Sequence, residues 1–139
     1  MDYSFVISAR LSMHRVFVVD DDQDSAQTLA VILRLWGHDV RVQPGGLEAL
    51  RESSAFRPEV AILDLALPGL DGYEVARRLR EIPGLEKIRL IALSGYCREI
   101  DRQRAFEAGF DEHLAKPADL DKIRLLVDSA YPIQTAVEH

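Results

Sequence analysis

Two kinds of apolar pattern alternate along this chain. Short continuous runs rich in β-branched residues stand at Val16–Val19, Val60–Leu63 and Leu90–Leu93. A run that is continuous, not alternating, fits a strand buried on both faces of a parallel sheet. Two weaker strands fit at Asp39–Gln43 and His113–Ala115. Between these runs the apolar positions recur at helical spacing. Ser25–Trp36 sets Ala26, Leu29, Ala30, Leu33 and Trp36 on one stripe, and Gly37 stops it. Leu47–Ser54 predicts a short helix with Leu47, Leu50 and the following Ala55 inward. Tyr73–Glu81 offers Tyr73, Ala76 and Leu79 before Pro83 and Gly84. Glu99–Ala108 has the thinnest stripe and ends at Gly109. Leu120–Ala130 carries Leu120, Ile123, Val127 and Ala130, with Asp119 as N-cap.

Strand then helix, five times over, predicts an α/β domain with a parallel sheet and helices on both faces. Ligands of such sheets sit beyond the carboxyl ends of the strands. The domain is expected over residues 15–130, with an N-terminal tail at 1–14 and a C-terminal tail at 131–139. Phe5-Val6-Ile7 fits either an added strand or part of that tail, and the native start is either Met1 or Met13.

Composition narrows the class. Hydrophobic residues make up 47% and charged residues 29%, the balance of a folded domain and not of a disordered chain. A single cysteine, Cys97, rules out an internal disulfide framework and reads as an inert loop thiol. Neither a signal peptide nor a membrane-length apolar run is visible, so a cytoplasmic setting without membrane contact is expected. Seventeen basic against 23 acidic side chains leave a net charge of −6, which argues against direct nucleic-acid binding. The arginines at 77, 78 and 80 and at 98, 102 and 104 read as solvated helix faces, interleaved with Glu74, Glu81, Glu99 and Glu107.

The chemistry lies at the strand ends. Asp20, Asp21 and Asp22 follow the first run, Asp64 the third, Ser94 the fourth, and Lys116-Pro117 the fifth. Clustered carboxylates repel one another, and a hard divalent cation relieves that repulsion. A cation there would also offset charge on an incoming phosphoryl group. Lys116 adds a point charge, Ser94 a hydroxyl, and an aspartate can itself attack phosphorus to form an acyl phosphate. The set therefore reads as metal-assisted phosphoryl transfer onto Asp64. Taken singly, each part has a plainer reading: Asp22 and Asp24 as cap and first-turn acid, Asp64 as a turn residue before Pro68-Gly69. Their joint placement on four strand ends favours the chemical reading.

At these residues the chain resembles the receiver domain of two-component response regulators. The matching segments are Val18-Val19-Asp20-Asp21, Leu63 to Gly72, Ile91-Ala92-Leu93-Ser94-Gly95 and Ala108 to Pro117, within a resemblance covering roughly residues 15–130. It implies a doubly wound, flavodoxin-like fold with strand order 2-1-3-4-5 and five helices. It implies Asp64 as phosphoacceptor. Asp21 becomes a direct ligand of Mg2+, or of Mn2+ in its place, Asp20 an acid acting through water, and the Ala66 backbone carbonyl a further ligand. Ser94 corresponds to the hydroxyl that moves to the phosphoryl group, and Lys116 to the family lysine, with a cis bond to Pro117. Gly95 would leave room for a phosphoryl oxygen, and Asp71 would cap the helix after Gly72.

Two departures stand out. His113 occupies a position that usually holds Tyr or Phe, whose ring turns inward when the hydroxyl shifts. Two readings are open: His113 joins the switch, with pH sensitivity, or it stays partly exposed and takes no part. Ala66 and Tyr96 replace side chains that often position water, so a slowly hydrolysing acyl phosphate is expected.

The implied partners are a histidine kinase or histidine phosphotransfer protein, and a downstream partner on the face of the fourth helix, fifth strand and fifth helix. That face includes Arg98, Asp101, Arg102, His113 and Asp119. Homodimerisation on phosphorylation is a further option. The short stretch after Ala130 suggests a stand-alone receiver, or one excised from a hybrid kinase. A turnover enzyme acting on small phosphoesters is the rival reading, but Ala66 stands where such enzymes place a general acid. A scaffold with a relic site is the third, and the intact set of acids, Ser94 and Lys116 disfavours it.

Overall fold

A computed structural model describes residues 13–95 and 98–133. The possible strand at residues 5–7, together with Tyr96 and Cys97, lies outside the described residues. Ten elements alternate: β1 (Arg15–Val19), α1 (Gln23–Leu35), β2 (Asp39–Gln43), α2 (Gly46–Phe56), β3 (Val60–Asp64), α3 (Gly72–Glu81), β4 (Arg89–Ser94), α4 (Glu99–Ala108), β5 (Glu112–Ala115) and α5 (Leu120–Asp128). The strands form one sheet in the order β2-β1-β3-β4-β5, and every pairing is parallel. The expected topology is present.

Alternate residues of each central strand enter opposite cores. Phe17, Val19, Ala61, Leu63, Leu90 and Ala92 meet α2, α3 and α4 on one face. Val16, Val18, Val60, Ile62, Ile91 and Leu93 meet α1 and α5 on the other. This is why the strand runs are continuously apolar. No helix among the described residues is long and apolar enough to cross a membrane.

Caps move several boundaries. The Asp22 carboxylate accepts from the Ser25 N–H, so α1 begins at Gln23 and not at Ser25. Asp71 likewise accepts from Glu74 N–H at 2.9 Å and starts α3 at Gly72. α2 turns its stripe by one position: Ala49, Ser53 and Phe56 are buried, whereas Leu47 is 45% exposed and Ala55 faces solvent. Phe56 stacks on Phe17 with ring centroids 5.1 Å apart, and that contact fixes the rotation. α5 ends at Asp128, two residues early, and Leu120 is 43% exposed instead of buried.

The expected tails are tied in at their inner edges. His14 is buried; its Nδ1 faces Glu59 Oε2 at 3.1 Å and its Nε2 faces the Asp128 carbonyl at 3.4 Å. Ile133 donates its N–H to Glu59.

The arginine groups divide. Arg77 and Arg78 pair with Glu74 on an exposed helix face. Arg80 instead bonds the Gly109 carbonyl and Asp111, and Arg104 lies over the Tyr73 ring.

Candidate functional site

Four strands deliver side chains to one edge of the sheet. β1 ends into Asp20 and Asp21, β3 ends on Asp64, β4 on Ser94, and β5 leads to Lys116. Because β1, β3 and β4 pair in parallel register, their carboxyl ends lie side by side.

Carboxylate oxygens of Asp20, Asp21 and Asp64 come within 4.8 Å of one another. Asp20 and Asp64 are buried and Asp21 is exposed, so the cluster has a closed floor and an open side. Asp20 Oδ1 accepts from the Asp22 N–H at 2.9 Å. Asp64 is held at both oxygens: Oδ1 accepts from the Ala66 N–H at 2.9 Å, and Oδ2 from Lys116 Nζ at 2.7 Å. Lys116 Nζ also stands 3.6 Å from Asp20 Oδ2. Lys116 follows Ala115 out of the sheet; its N–H donates to the Ser94 carbonyl, and its bond to Pro117 is cis.

Electrostatics follow from this crowding. Burial, above all, raises the Asp20 carboxyl above its ordinary 3.8; Asp64 and Asp21 push the same way, against the Asp22 N–H and Lys116. Burial pulls the Lys116 ammonium down. The hydrogen bond and charge of Asp64, with those of Asp20, outweigh it and hold the group above its ordinary 10.5. An acid cluster and a charged lysine therefore share one pocket. The three carboxylates suit a hard divalent ion, which prefers oxygen donors.

The predicted Asp20, Asp21, Asp64 and Lys116 are thus brought together, and Ala66 is exposed beside them. Ser94 is buried at the end of β4, where a Cβ added at the next residue, Gly95, would meet nothing within 4 Å. His113 is buried, and its Nε2 lies 2.7 Å from Ser94 Oγ. Its expected partial exposure in the non-participating reading is therefore absent.

Sequence reasoning missed the groove beside the acids. It has a volume of about 600 Å³ and runs between α1 and α5, with Leu29, Ile32 and Ile123 among its walls, to Asp20, Asp64 and Lys116. Ala26 and Ala118 also line it, and small side chains there are a signal that helical spacing alone does not convey.

Comparison with known proteins gives a consistent picture. A family model described as the response regulator receiver domain matches residues 16–128. An uncharacterized 14.6 kDa protein from the sodA1 3′ region of Leptolyngbya boryana is 41% identical over 117 residues, 84% of this chain and 89% of that protein. Other relatives include DNA-binding regulators, of which this chain spans about half the length, 54% in one case and 44% in another. A crystal structure of a putative response regulator from Chloroflexus aurantiacus is 31% identical with a TM-score of 0.76, covering 83% of this chain and 98% of that one. The receiver domain of sensor histidine kinase PA1611 from Pseudomonas aeruginosa, with magnesium coordinated in its active-site cleft, is 26% identical with a TM-score of 0.75. That match covers 83% of this chain and 94% of the other.

Proposed function

Because this chain belongs to the response regulator receiver domain family, a signalling domain of two-component systems, we propose that Asp64 is the carboxylate on which it accepts a phosphoryl group. The observation that carries the assignment is the gathering of three carboxylates within 4.8 Å, with the Lys116 ammonium 2.7 Å from Asp64.

Asp20, Asp21, Asp64 and the Ala66 carbonyl would hold Mg2+, or Mn2+ in its place. The bound ion would supply charge neutralisation for the phosphoryl oxygens. The remaining work falls to the chain. The Ala66 N–H and Lys116 hold the Asp64 carboxylate in place, one at each oxygen. An Asp64 oxygen attacks phosphorus as the bond from phosphorus to the donor's imidazole nitrogen breaks, and the imidazole leaves with that electron pair. Lys116 stays charged and pairs with the product, and Ser94 hydrogen-bonds a phosphoryl oxygen. The donor is a phosphohistidine on a histidine kinase or phosphotransfer protein.

Phosphorylation then shifts a two-state equilibrium read by a partner on the face of α4, β5 and α5, which carries Arg98, Asp101, Arg102, His113 and Asp119. A homodimer formed on that face is one such readout. The test is transfer of 32P from a small phosphoramidate. Label on the wild type that disappears in Asp64→Asn supports the assignment; label that survives the substitution overturns it.

A further inference from the structure

The last turn of α5 can be accounted for carbonyl by carbonyl. A helix leaves its final four carbonyls without intrahelical donors. Leu125 and Val127 accept from the Ser129 and Ala130 N–H groups just beyond the helix. Leu126 accepts from the Arg89 guanidinium of β4 at 3.1 Å. The residue four positions after Asp128 is Pro132, which has no N–H to give. The group that faces the Asp128 carbonyl, at 3.4 Å, is instead Nε2 of His14, the residue just ahead of β1.

His14 and His38 stack with ring centroids 5.7 Å apart, and their partners give them opposite forms. His38 Nδ1 accepts the His14 backbone N–H at 3.0 Å, so it keeps a lone pair. Its hydrogen then sits on Nε2, 3.3 Å from Asp128 Oδ1, and the ring is neutral. His14 faces an acceptor at each nitrogen: the Asp128 carbonyl at Nε2, and Glu59 Oε2 at Nδ1, 3.1 Å away. Glu59 is ionised, because N–H groups converge on both of its oxygens: Arg15 N–H and the Arg15 guanidinium at Oε1, Ile133 N–H at Oε2. His14 therefore needs hydrogen on both nitrogens to make both bonds. A neutral ring keeps only one of them. Hydrogen left on Nε2 would set a bare Nδ1 against a carboxylate, so the surviving hydrogen belongs on Nδ1, and the Asp128 carbonyl is the partner given up.

We infer that charged His14 is the C-terminal cap of α5 and that its second proton is a latch: held, it ties the end of α5 to the start of β1, and lost, it frees that end. A positive ring also suits the negative end of the helix dipole. Leu125 and Leu126, on the turn so held, line the groove between β5 and α5, so the latch reaches a wall of the face proposed for a partner. The inference does not depend on the assignment of Asp64. The titratable and charged groups around the ring are Glu59 just ahead of β3, Asp128 and Arg124 from α5, His38 between α1 and β2, Arg15 on β1, and Arg89 on β4 at the neighbouring carbonyl. The Glu59 hydrogen bond, above all, holds the ring above its ordinary 6.5. The latch is thus closed in acid and opens as pH rises through that raised value.

The experiment is NMR of the full chain labelled with 15N and 13C, titrated from about pH 6 to about pH 9. The His14 ring is expected to pass from two N–H nitrogens to one, keeping hydrogen on Nδ1 and losing it from Nε2. The Asp128 carbonyl resonance should move with the same midpoint. Protection of the Ser129 and Ala130 amides against hydrogen exchange is expected to fall about tenfold across it, over and above any fall at Ile62 in β3. His14→Phe should remove the step at the Asp128 carbonyl. A ring already neutral at the acid end, or one that keeps hydrogen on Nε2 above its midpoint, would overturn the inference. So would an Asp128 carbonyl indifferent to the ring, a fall at Ser129 and Ala130 no larger than at Ile62, or a step that survives in His14→Phe. Should that variant not fold, the ring and carbonyl resonances of the wild type decide alone.

Discussion

Lys116 Nζ and Asp64 Oδ2 lie 2.7 Å apart, so the acid cluster already holds a positive partner. Replacing Lys116 with Met removes that charge and leaves the carboxylates to a metal ion. Mg2+ is then expected to bind roughly fivefold more tightly, the effect of a ~1 kcal/mol interaction between partly solvated charges, while phosphoryl acceptance slows. Calorimetric titration and 32P labelling measure the two arms. Weaker Mg2+ binding in the variant would contradict the shared pocket.

Asp21 is the exposed member of the acid cluster. Its substitution leaves the core intact and takes one charged oxygen donor from the proposed ion site. Asp21→Asn is expected to weaken Mg2+ by about tenfold or more. The midpoint of thermal unfolding should match the wild type in EDTA, and the rise that Mg2+ gives the wild type should shrink. A variant stabilised by Mg2+ as strongly as the wild type would remove Asp21 from the ligand set.

Ala66 donates its N–H to Asp64 but has no side-chain group to steer water. The acyl phosphate is accordingly expected to persist, and Ala66→Asn should shorten its lifetime several-fold by offering an amide beside phosphorus. Decay of 32P label after removal of the donor gives both rates. Equal lifetimes would show that hydrolysis is controlled elsewhere.

His14, Glu59 and His38 form a buried polar cluster at the opposite end of the sheet. The Glu59 hydrogen bond, foremost, holds His14 above its ordinary 6.5. Burial holds His38 below the same value, with Asp128 opposing. Burial pushes Glu59 up, yet contacts with His14 and Arg15 together leave it below 4.5. The His14 contribution is full below pH 6.5 and fades as pH rises through its raised value; that of Glu59 is full above 4.5 and fades in acid. His38 adds stability above 6.5 that is lost in acid. The His14–Glu59 pair is thus strongest between those limits. His14→Ala is expected to cost about 2–4 kcal/mol near pH 6 and to abolish the decline above 6.5, measured by denaturant unfolding across pH. A variant that keeps the decline would assign it to another group.

Gly72 lets α3 approach β3 closely. A Cβ there would stand 2.9 Å from the Asp64 carbonyl oxygen and 3.0 Å from Leu65 Cα, both backbone atoms that cannot swing aside. Gly72→Ala is expected to destabilise the fold by about 1–3 kcal/mol and to weaken Mg2+ binding, because the strain falls on the strand end that carries Asp64. Unchanged unfolding and metal binding together would refute this.

Which parts of this molecule were readable in advance follows from the forces involved. Strand ends were readable because continuous apolar runs such as Val60–Leu63 stop where a charge must leave the core, and Asp64 marks that point. The topology came from resemblance. Helix faces built from small residues were poorly readable: α2 rests on Ala49 and Ser53, so Leu47 misled. His14 falls within the expected tail because a lone histidine carries no periodic signal; only the fold reveals that Glu59 meets it, 45 residues on. Hydrogen bonding between Ser94 and His113 was likewise invisible, since it depends on the β4–β5 register.

Glu59 receives both Arg15 N–H, just after His14, and Ile133 N–H, so the two ends of the described residues are held at one place. The acids lie a full strand away, about 17 Å for five residues. Dyes attached at Met13 and Ile133 would therefore be close neighbours. Energy transfer between them would follow the opening of this seam while leaving the reaction centre unlabelled.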